Sequence, residues 1–498
     1  MAVAALSYSI VALVVSAAAA PRSNDPANFL WQRGAIAHAQ LMRRFFDADR
    51  GSQPTPRVIP QLEIDLDPSG LIATFQPNGP TQTANNPFFQ DFGTNGRTCL
   101  TCHQPQNGWS VSAASVRERF HASFGRDPIF RIVDGATCPS DDVSSLGAKS
   151  KAYRLLLSKG LIRIGMPVPE SPQFAIVSVD DPYHCNTDPA TGLTSSTAGI
   201  VSVYRRPLPA TNLGFGSAVM WDGREPDLAS QAKDATLGHA QALTAPTDLQ
   251  LQQIVEFESG TFNAQLFDRE AGYLDKAGAS GGPIALSQLL GGFFIGINDP
   301  FGLNPQHTAF TSFIFNLYDS WTSPPGHDEV ARAREAVARG QAIFNTTPID
   351  ISGVAGLNDV LGQPTFHGSC GTCHDTPNVG DHSIKAPLDI GVGDAGINSP
   401  PGLDVSDLPV FTLQCMAGPL AGRTFMVTDP GRALISGDCA DIGKIKGPML
   451  RGLAARAPYF HNGSAANLMD VVNFYDKRFG IGFTEQQKRD LVAFLKTL

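Results

Sequence analysis

The chain has 498 residues, including 49 glycines and 37 prolines, and only 17% of its residues are charged. This composition indicates a loop-rich protein with few long exposed helices. A hydrophobic content of 42% excludes general disorder, and a net charge of −9 without a Lys/Arg cluster argues against nucleic-acid binding. The length suggests roughly two to four domains.

The first segment in chain order is almost wholly apolar from Ala2 to Ala20 and ends in a run of alanines. This pattern is typical of a secretory signal peptide, although no Lys or Arg precedes the apolar run. An uncleaved N-terminal anchor is the alternative, and no later apolar run is long enough to span a membrane. We therefore predict removal of residues 1–20, a periplasmic location and no membrane span in the mature chain.

Four of the eight cysteines form two C-x-x-C-H motifs, which are Cys99, Cys102 and His103, and Cys370, Cys373 and His374. The two thiols of such a motif can add to the vinyl groups of one haem, and the histidine then ligates the iron. Thioredoxin-like redox motifs or a zinc site are the alternatives, but neither explains a histidine after the second cysteine in both motifs. We predict two covalently bound haem c groups.

The other four cysteines are isolated in the sequence, and in an exported protein they are expected to form disulfides. Four cysteines allow three pairings. We favour Cys138–Cys185 and Cys415–Cys439, because the first pair lies between the two motifs and the second pair follows both.

The segments around the motifs predict mainly α structure. Apolar spacing predicts helices over Phe29–Phe46 and Glu329–Asn345, and a capping box at Thr484–Gln487 predicts a closing helix. Short β-branched runs at 161–164, 174–179 and 200–204 predict strands. The expected fold is loop-rich, with cytochrome c-like haem domains at 21–325 and 326–498. The strands belong to a small β-containing insertion in the first domain, at about 137–209.

Two further segments resemble bacterial dihaem cytochrome c peroxidases and the related MauG-type enzymes. One is Trp221-Asp222-Gly223-Arg224, with Leu228 and Gln231-Ala232 after it, and the other is Leu450-Arg451 with Ala457–Gly463. With the haem motifs they follow the family's order over residues 95–498. The insertion is not covered.

The resemblance implies that peroxide reacts at the His103 haem and that the His374 haem stores or relays an electron. It implies further that Trp221 lies between the two haems as a relay, although an ordinary core tryptophan is the simpler alternative. Arg451 is assigned to cofactor binding on the same ground.

The second iron ligand of the His374 haem distinguishes branches of this family. Peroxidases that need reductive activation carry a methionine ligand in the helix that corresponds to Leu468–Tyr475. Here the ligand position holds Tyr475, and MauG also has a tyrosine there. A phenolate stabilises higher oxidation states of iron than a thioether does. Met449 and Met469 are nearby rivals, which we interpret as packing residues.

Two positions depart from the family pattern. The distal glutamate, twenty residues after the tryptophan, is replaced by Gln241, which cannot take a proton; His239 can, unless it is only a loop residue. The asparagine that ligates calcium between the haems is replaced by Arg206, which cannot ligate a cation. Calcium is therefore doubtful, and Arg206 is a substitute charge, a haem-propionate partner or a surface residue.

The leading hypothesis is a periplasmic peroxidase-type oxidoreductase that uses hydrogen peroxide, with His239 and Gln241 assisting O–O cleavage. Its oxidised partner would be a small electron-transfer protein or a protein substrate. A dioxygen-dependent oxygenase is the second hypothesis. The third is a non-catalytic dihaem electron carrier, in which His121, His184 or His239 supplies a sixth ligand to the first haem.

Overall fold

A computed structural model describes residues 57–186 and 199–498 of the chain. The predicted signal peptide and the helix predicted over Phe29–Phe46 lie outside these residues. Helices account for 32% of the structure, and the strands form small sheets. Within the described ranges, no helix is both long enough and apolar enough to cross a membrane.

The helices are short and separated by long irregular segments. In chain order they are Ala113–Ser123, Leu146–Ala152, Arg154–Lys159, Leu228–Gly238, Asp248–Gly260, Pro283–Gln288, Glu329–Thr346, Asn358–Leu361, Ala433–Ser436, Leu468–Phe479 and Glu485–Lys496. The helix predicted before the second motif is confirmed as Glu329–Thr346, whose first turn is capped by Asp328. The predicted closing helix is confirmed as Glu485–Lys496, with the expected capping box between Thr484 and Gln487.

The strands are β1 (Val58–Ile59), β2 (Leu62–Leu66), β3 (Gly70–Phe75), β4 (Thr81–Gln82), β5 (Ile162–Pro167), β6 (Phe174–Asp180), β7 (Ile200–Arg205), β8 (Phe262–Asp268), β9 (Gly272–Tyr273), β10 (Ile349–Ser352), β11 (Thr365–Gly368), β12 (Val410–Cys415) and β13 (Thr424–Val427). The predicted strands of the insertion are confirmed as β5, β6 and β7.

Sheet structure extends beyond the insertion, which the sequence analysis did not predict. Strands β2, β3, β8 and β9 form one sheet in that order, and β6 of the insertion pairs with β12 in a sheet ordered β13-β12-β6. The second sheet joins residues more than two hundred positions apart, so no local pattern indicates it. The mainly α prediction therefore holds only in part.

Both predicted disulfides are confirmed. Cys138 pairs with Cys185 at a Cα–Cα distance of 5.4 Å, and Cys415 pairs with Cys439 at 6.0 Å. The second pair belongs to an apolar cluster with Phe174, Phe411 and Leu413, so it links β12 to the core shared with β6. The four motif cysteines form no disulfide.

Candidate haem centres

The first C-x-x-C-H motif forms a single 3-10 turn over Cys99–Thr101, closed at its start by a capping box between Thr98 and Thr101. The backbone N–H of His103 donates to the Cys99 carbonyl at 3.0 Å. Its ring Nδ1 lies 2.9 Å from the Trp109 carbonyl oxygen, six residues further along the chain. Behind the ring, Phe88 stands 6.4 Å from it, centroid to centroid.

The second motif repeats this arrangement. A 3-10 turn over Cys370–Thr372 is closed by a capping box between Ser369 and Thr372. His374 donates its backbone N–H to Cys370 at 3.2 Å, and its Nδ1 lies 2.7 Å from the Gly380 carbonyl oxygen. Phe344 stands 6.3 Å from the ring.

These contacts determine the tautomer of both histidines. A carbonyl oxygen only accepts, so Nδ1 must carry the proton in His103 and in His374, which leaves the lone pair on Nε2. In the described part of the chain nothing hydrogen-bonds either Nε2. Burial lowers the pKa of His374 to about 4 and also lowers that of His103. Both rings are therefore neutral and oriented as metal-ligating histidines are in proteins.

The motif thiols are partly buried and uncharged. Burial raises the pKa of Cys370 and of Cys373 to about 12, and it raises the pKa of Cys99 and Cys102 as well. No cluster of three or more His, Cys, Asp or Glu side chains able to hold a metal ion occurs in residues 57–186 and 199–498.

Trp221 is buried, and its segment contacts the surroundings of the second motif. The indole N–H donates to the Arg206 carbonyl at 2.7 Å. Four residues before the tryptophan, the Ser217 hydroxyl donates to the carbonyls of His382 and Ile384, which follow the second motif.

A buried ion cluster holds the Trp221-Asp222 turn. Arg205 donates to both oxygens of Asp429, at 2.6 and 2.9 Å, and to Asp222. His461, whose Nε2 lies 3.7 Å from Asp429, stands 6.1 Å from the Trp221 ring. Burial lowers the pKa of His461 to about 4, so this histidine is neutral at physiological pH.

Tyr475 lies in an aromatic group beside the second motif. Its ring is 6.3 Å from that of Phe460 and stacks on that of Phe479 at 6.3 Å. Phe479 in turn packs in an apolar cluster with Cys370 and Cys373. Burial, with a smaller effect of those two thiols, raises the pKa of Tyr475. The rival Met449 packs against the cluster of Phe215, Phe262, Ala264, Leu286 and Val379, as predicted.

His239 and Gln241 follow the helix Leu228–Gly238, on a loop held against residues 93–95. The Nδ1 of His239 lies 2.5 Å from Asp134, whose other oxygen accepts from Arg97 at 2.5 Å. Burial alone would raise the pKa of Asp134, but Arg97 and His239 outweigh this effect and hold that pKa below its usual range. The His239 carbonyl accepts from the side chains of Asn95, at 2.8 Å, and Arg97, at 3.3 Å, just before Cys99, so His239 lies near the first motif.

Gln241 is exposed and lines a cavity of about 770 Å³. Its Oε1 accepts from the Asn95 side chain at 3.3 Å, and its carbonyl accepts from Thr94 at 3.1 Å. The backbone of Ala240 approaches Gly93 closely. Glycine permits this approach, because a Cβ on residue 93 would lie 1.7 Å from the Ala240 carbonyl oxygen. The other two histidines considered as ligands, His121 and His184, are exposed.

Two cytochrome-c peroxidases are similar to this chain over part of its length. Cytochrome-c peroxidase IdrP2 of Denitromonas iodatirespirans is 33% identical over 144 residues, which are 27% of this chain and 37% of the relative. IdrP1 of the same organism is 29% identical over 210 residues, 39% of this chain and 47% of the relative. The chain thus spans less than half the length of these peroxidases.

A longer alignment joins the chain to methylamine utilization protein MauG of Methylorubrum extorquens, with 26% identity over 325 residues, 62% of this chain and 68% of the relative. These relatives support the dihaem cytochrome c peroxidase/MauG superfamily for this chain, at low sequence identity. No family model matches the sequence. The crystal structure of a MauG-like protein associated with microbial copper homeostasis aligns with 89% of this chain and 93% of that chain, at 15% identity and a TM-score of 0.37.

Haem c, the cofactor that these relatives imply, fits the residues around the second motif. Arg451 is buried and donates one N–H to the Asn378 carbonyl, next to the loop that holds His374. Its Nε and Nη1 are buried without a hydrogen-bond partner. A haem propionate is an anion that would satisfy both groups.

Two buried groups near the motifs were missed by the sequence analysis. His382 donates from Nδ1 to Asp375 at 2.8 Å, while its Nε2 is buried without a partner. Burial raises the pKa of Glu258 to about 8, and this side chain is close enough to raise the pKa of Cys99. Neither belongs to a recognisable motif; only the helix capped at Thr247 marks the segment of Glu258.

Proposed function

We propose that the protein is a periplasmic dihaem c-type oxidoreductase of the MauG-like type. In this proposal, hydrogen peroxide reacts at an open haem held by Cys99, Cys102 and His103. A second haem, held by Cys370, Cys373 and His374, shares the oxidising equivalents. The observation that carries the proposal is the repeated geometry of the two motif histidines, each with Nδ1–H on a carbonyl and Nε2 left for iron. Each motif belongs to its own haem domain, 21–325 and 326–498.

Haem iron held by His103 would supply the site at which peroxide is activated. The protein's own contribution there is proton transfer, for which His239 is better suited than Gln241. Asp134 accepts from Nδ1 of His239, which leaves Nε2 free to take a proton from peroxide and return it. The Gln241 amide can only donate or accept hydrogen bonds, so its part is to orient the bound peroxide.

The relay between the two centres is assigned to Trp221. Its backbone is connected by hydrogen bonds to Lys446, and its indole to Arg206, so the ring is fixed in one orientation. Neutral His461 stands beside that ring, and the buried Arg205 cluster holds the following residue. A fixed ring in a water-poor surrounding needs little reorganisation when an electron passes.

At the second centre, Tyr475 is assigned as a further ligand of the iron that His374 would hold. Aromatic rings pack around it, and no described residue hydrogen-bonds its hydroxyl. Burial favours the neutral phenol in the protein alone. Iron held at His374 would supply the positive charge that favours release of the phenolic proton.

Low-temperature electron paramagnetic resonance of the air-oxidised holoprotein tests the proposal, before and after one equivalent of hydrogen peroxide. We expect one high-spin and one low-spin ferric signal, both lost when peroxide is added. Two low-spin signals that do not change when peroxide is added would instead support the hypothesis of a non-catalytic electron carrier. A high-spin signal that responds to dioxygen after reduction, and not to peroxide, would support the oxygenase. The oxidised partner is proposed to be a small electron-transfer protein or a protein substrate.

A further inference from the structure

The side chain of Arg206 is buried and binds main-chain carbonyls alone. Its Nη1 donates to the Lys159 carbonyl at 2.7 Å. Its Nη2 donates to the carbonyls of Val111 and Arg456, at 2.5 and 2.6 Å. Three oxygens from three distant segments thus converge on one positive charge.

No carboxylate neutralises this charge in the described part of the chain. The contrast with the preceding residue is direct, because Arg205 is equally buried and binds two aspartates. Burial, with a contribution from Arg456, lowers the pKa of Arg206 to about 9, which still leaves it charged at neutral pH. Carbonyl dipoles alone therefore stabilise the buried cation.

The backbone is shaped to receive this side chain. Gly160, in the left-handed region at φ +63°, comes directly after the Lys159 carbonyl that binds the guanidinium. A Cβ on Gly160 would lie 2.6 Å from Nη1 of Arg206. A side chain at position 160 would therefore press against the guanidinium, and the left-handed backbone also favours glycine there.

Converging carbonyl oxygens are also what a calcium ion prefers, and calcium is the metal that the superfamily resemblance implies at this position. The residues here do not fit that ion, because the guanidinium occupies the carbonyls and an arginine offers no oxygen ligand. We propose that Arg206 is the resident cation of this site, so that the folded protein holds its surroundings without calcium.

The Arg206 site matters for function because it positions Trp221, the proposed relay residue. The Arg206 carbonyl accepts from the Trp221 indole, and the Arg206 N–H donates to the His461 carbonyl at 2.7 Å. One residue therefore connects Trp221 and His461 to the carbonyl of Val111, which follows the first motif, and to that of Arg456. Arg206 is a positioning residue in this account.

Metal analysis of the purified holoprotein gives the first test. After dialysis, we expect well under one calcium per chain by mass spectrometry of the metals, and no change in Tm or in the haem spectrum with EDTA. A stoichiometric calcium that EDTA removes with a loss of Tm would overturn the proposal. These readouts do not depend on peroxide reactivity, so they stand apart from the proposed function.

The variant Arg206→Asn gives the second test, because it frees the three carbonyls and adds an amide oxygen of the kind calcium binds. In EDTA we expect its Tm to fall by about 5 °C or more, and millimolar calcium to restore most of that loss. Arg163→Asn is the matched control, since Arg163 also donates to a carbonyl, that of Val133 at 2.7 Å. Neither the control nor the wild type should respond to calcium. An Arg206→Asn variant that is destabilised yet indifferent to calcium would contradict the proposal, and if it fails to fold, the metal analysis decides alone.

Discussion

The two C-x-x-C-H regions are nearly identical on one side of the histidine and unlike on the other. In both regions the histidine Nδ1–H donates to a carbonyl six residues further along the chain, and the ring packs near a phenylalanine. Near His103, however, lies a polar loop whose His239 side chain is 38% exposed, whereas beside Cys370 and Cys373 lies the aromatic group of Tyr475. A local motif thus orients each proposed iron ligand, and elements distant in sequence distinguish the two centres.

Removing the hydroxyl of Tyr475 should have the largest effect on this difference. In Tyr475→Phe we expect haem content to be unchanged and the stable two-centre oxidised state to be lost, because the proposed anionic ligand is gone. Optical and electron paramagnetic resonance spectra after peroxide addition measure this. The control is Tyr318→Phe, another buried tyrosine, whose hydroxyl donates to the Thr497 carbonyl at 3.0 Å. Unchanged peroxide spectra in Tyr475→Phe would remove Tyr475 from the mechanism.

At the first centre, His239→Gln should slow the reaction with peroxide by roughly 100-fold, as expected when a general base is lost. Stopped-flow spectroscopy at the haem bands measures the rate. His367→Gln is the control, because His367 pairs with Asp350 at 2.7 Å in the same way but is 83% exposed. If both variants react at the wild-type rate, the His239–Asp134 pair has no part in O–O cleavage.

Gln241→Glu should act in the opposite direction and raise turnover with an artificial electron donor several-fold. A carboxylate keeps the hydrogen bond from Asn95 and adds a group able to take a proton. Steady-state assays compare it with Gln241→Met, which has a similar length and no proton acceptor and should show no increase. The absence of any rise in Gln241→Glu would mean that this position does not face the bound peroxide.

The sequence was sufficient for features that a few adjacent residues specify. The haem motifs, the capping box at Thr484 and the strands of the insertion are of this kind, and for the last two the structure confirms the prediction. Other features depend on residues far apart in the chain. His239 meets Asp134 across 105 positions, and Arg206 meets Arg456 across 250. Neither contact follows from periodicity or spacing, because burial and three-dimensional packing create it.

The smallest predicted effect concerns a carboxyl group that also distinguishes the two regions. Near Cys99, Glu258 is buried with Oε2 unpartnered, whereas Asp375 beside Cys373 is bound by His382 and Ser383. Burial raises the pKa of Glu258 from 4.5 to about 8. Between these two values the unfolded chain releases the proton while the folded chain keeps it, so stability falls as pH rises.

In Glu258→Gln the unfolded chain has no such proton to release. The variant should therefore lose less stability than the wild type as the pH rises from 4.5 to about 8. We expect its Tm to exceed that of the wild type by about 3 °C at pH 8, with a smaller difference at pH 5. Thermal unfolding of the holoprotein at both pH values measures this. The exposed Glu256→Gln, two residues away on the same helix, should follow the wild type. Parallel Tm profiles for Glu258→Gln and the wild type would show that Glu258 is ionised in the folded protein, and the first region would then hold a buried negative charge beside Cys99.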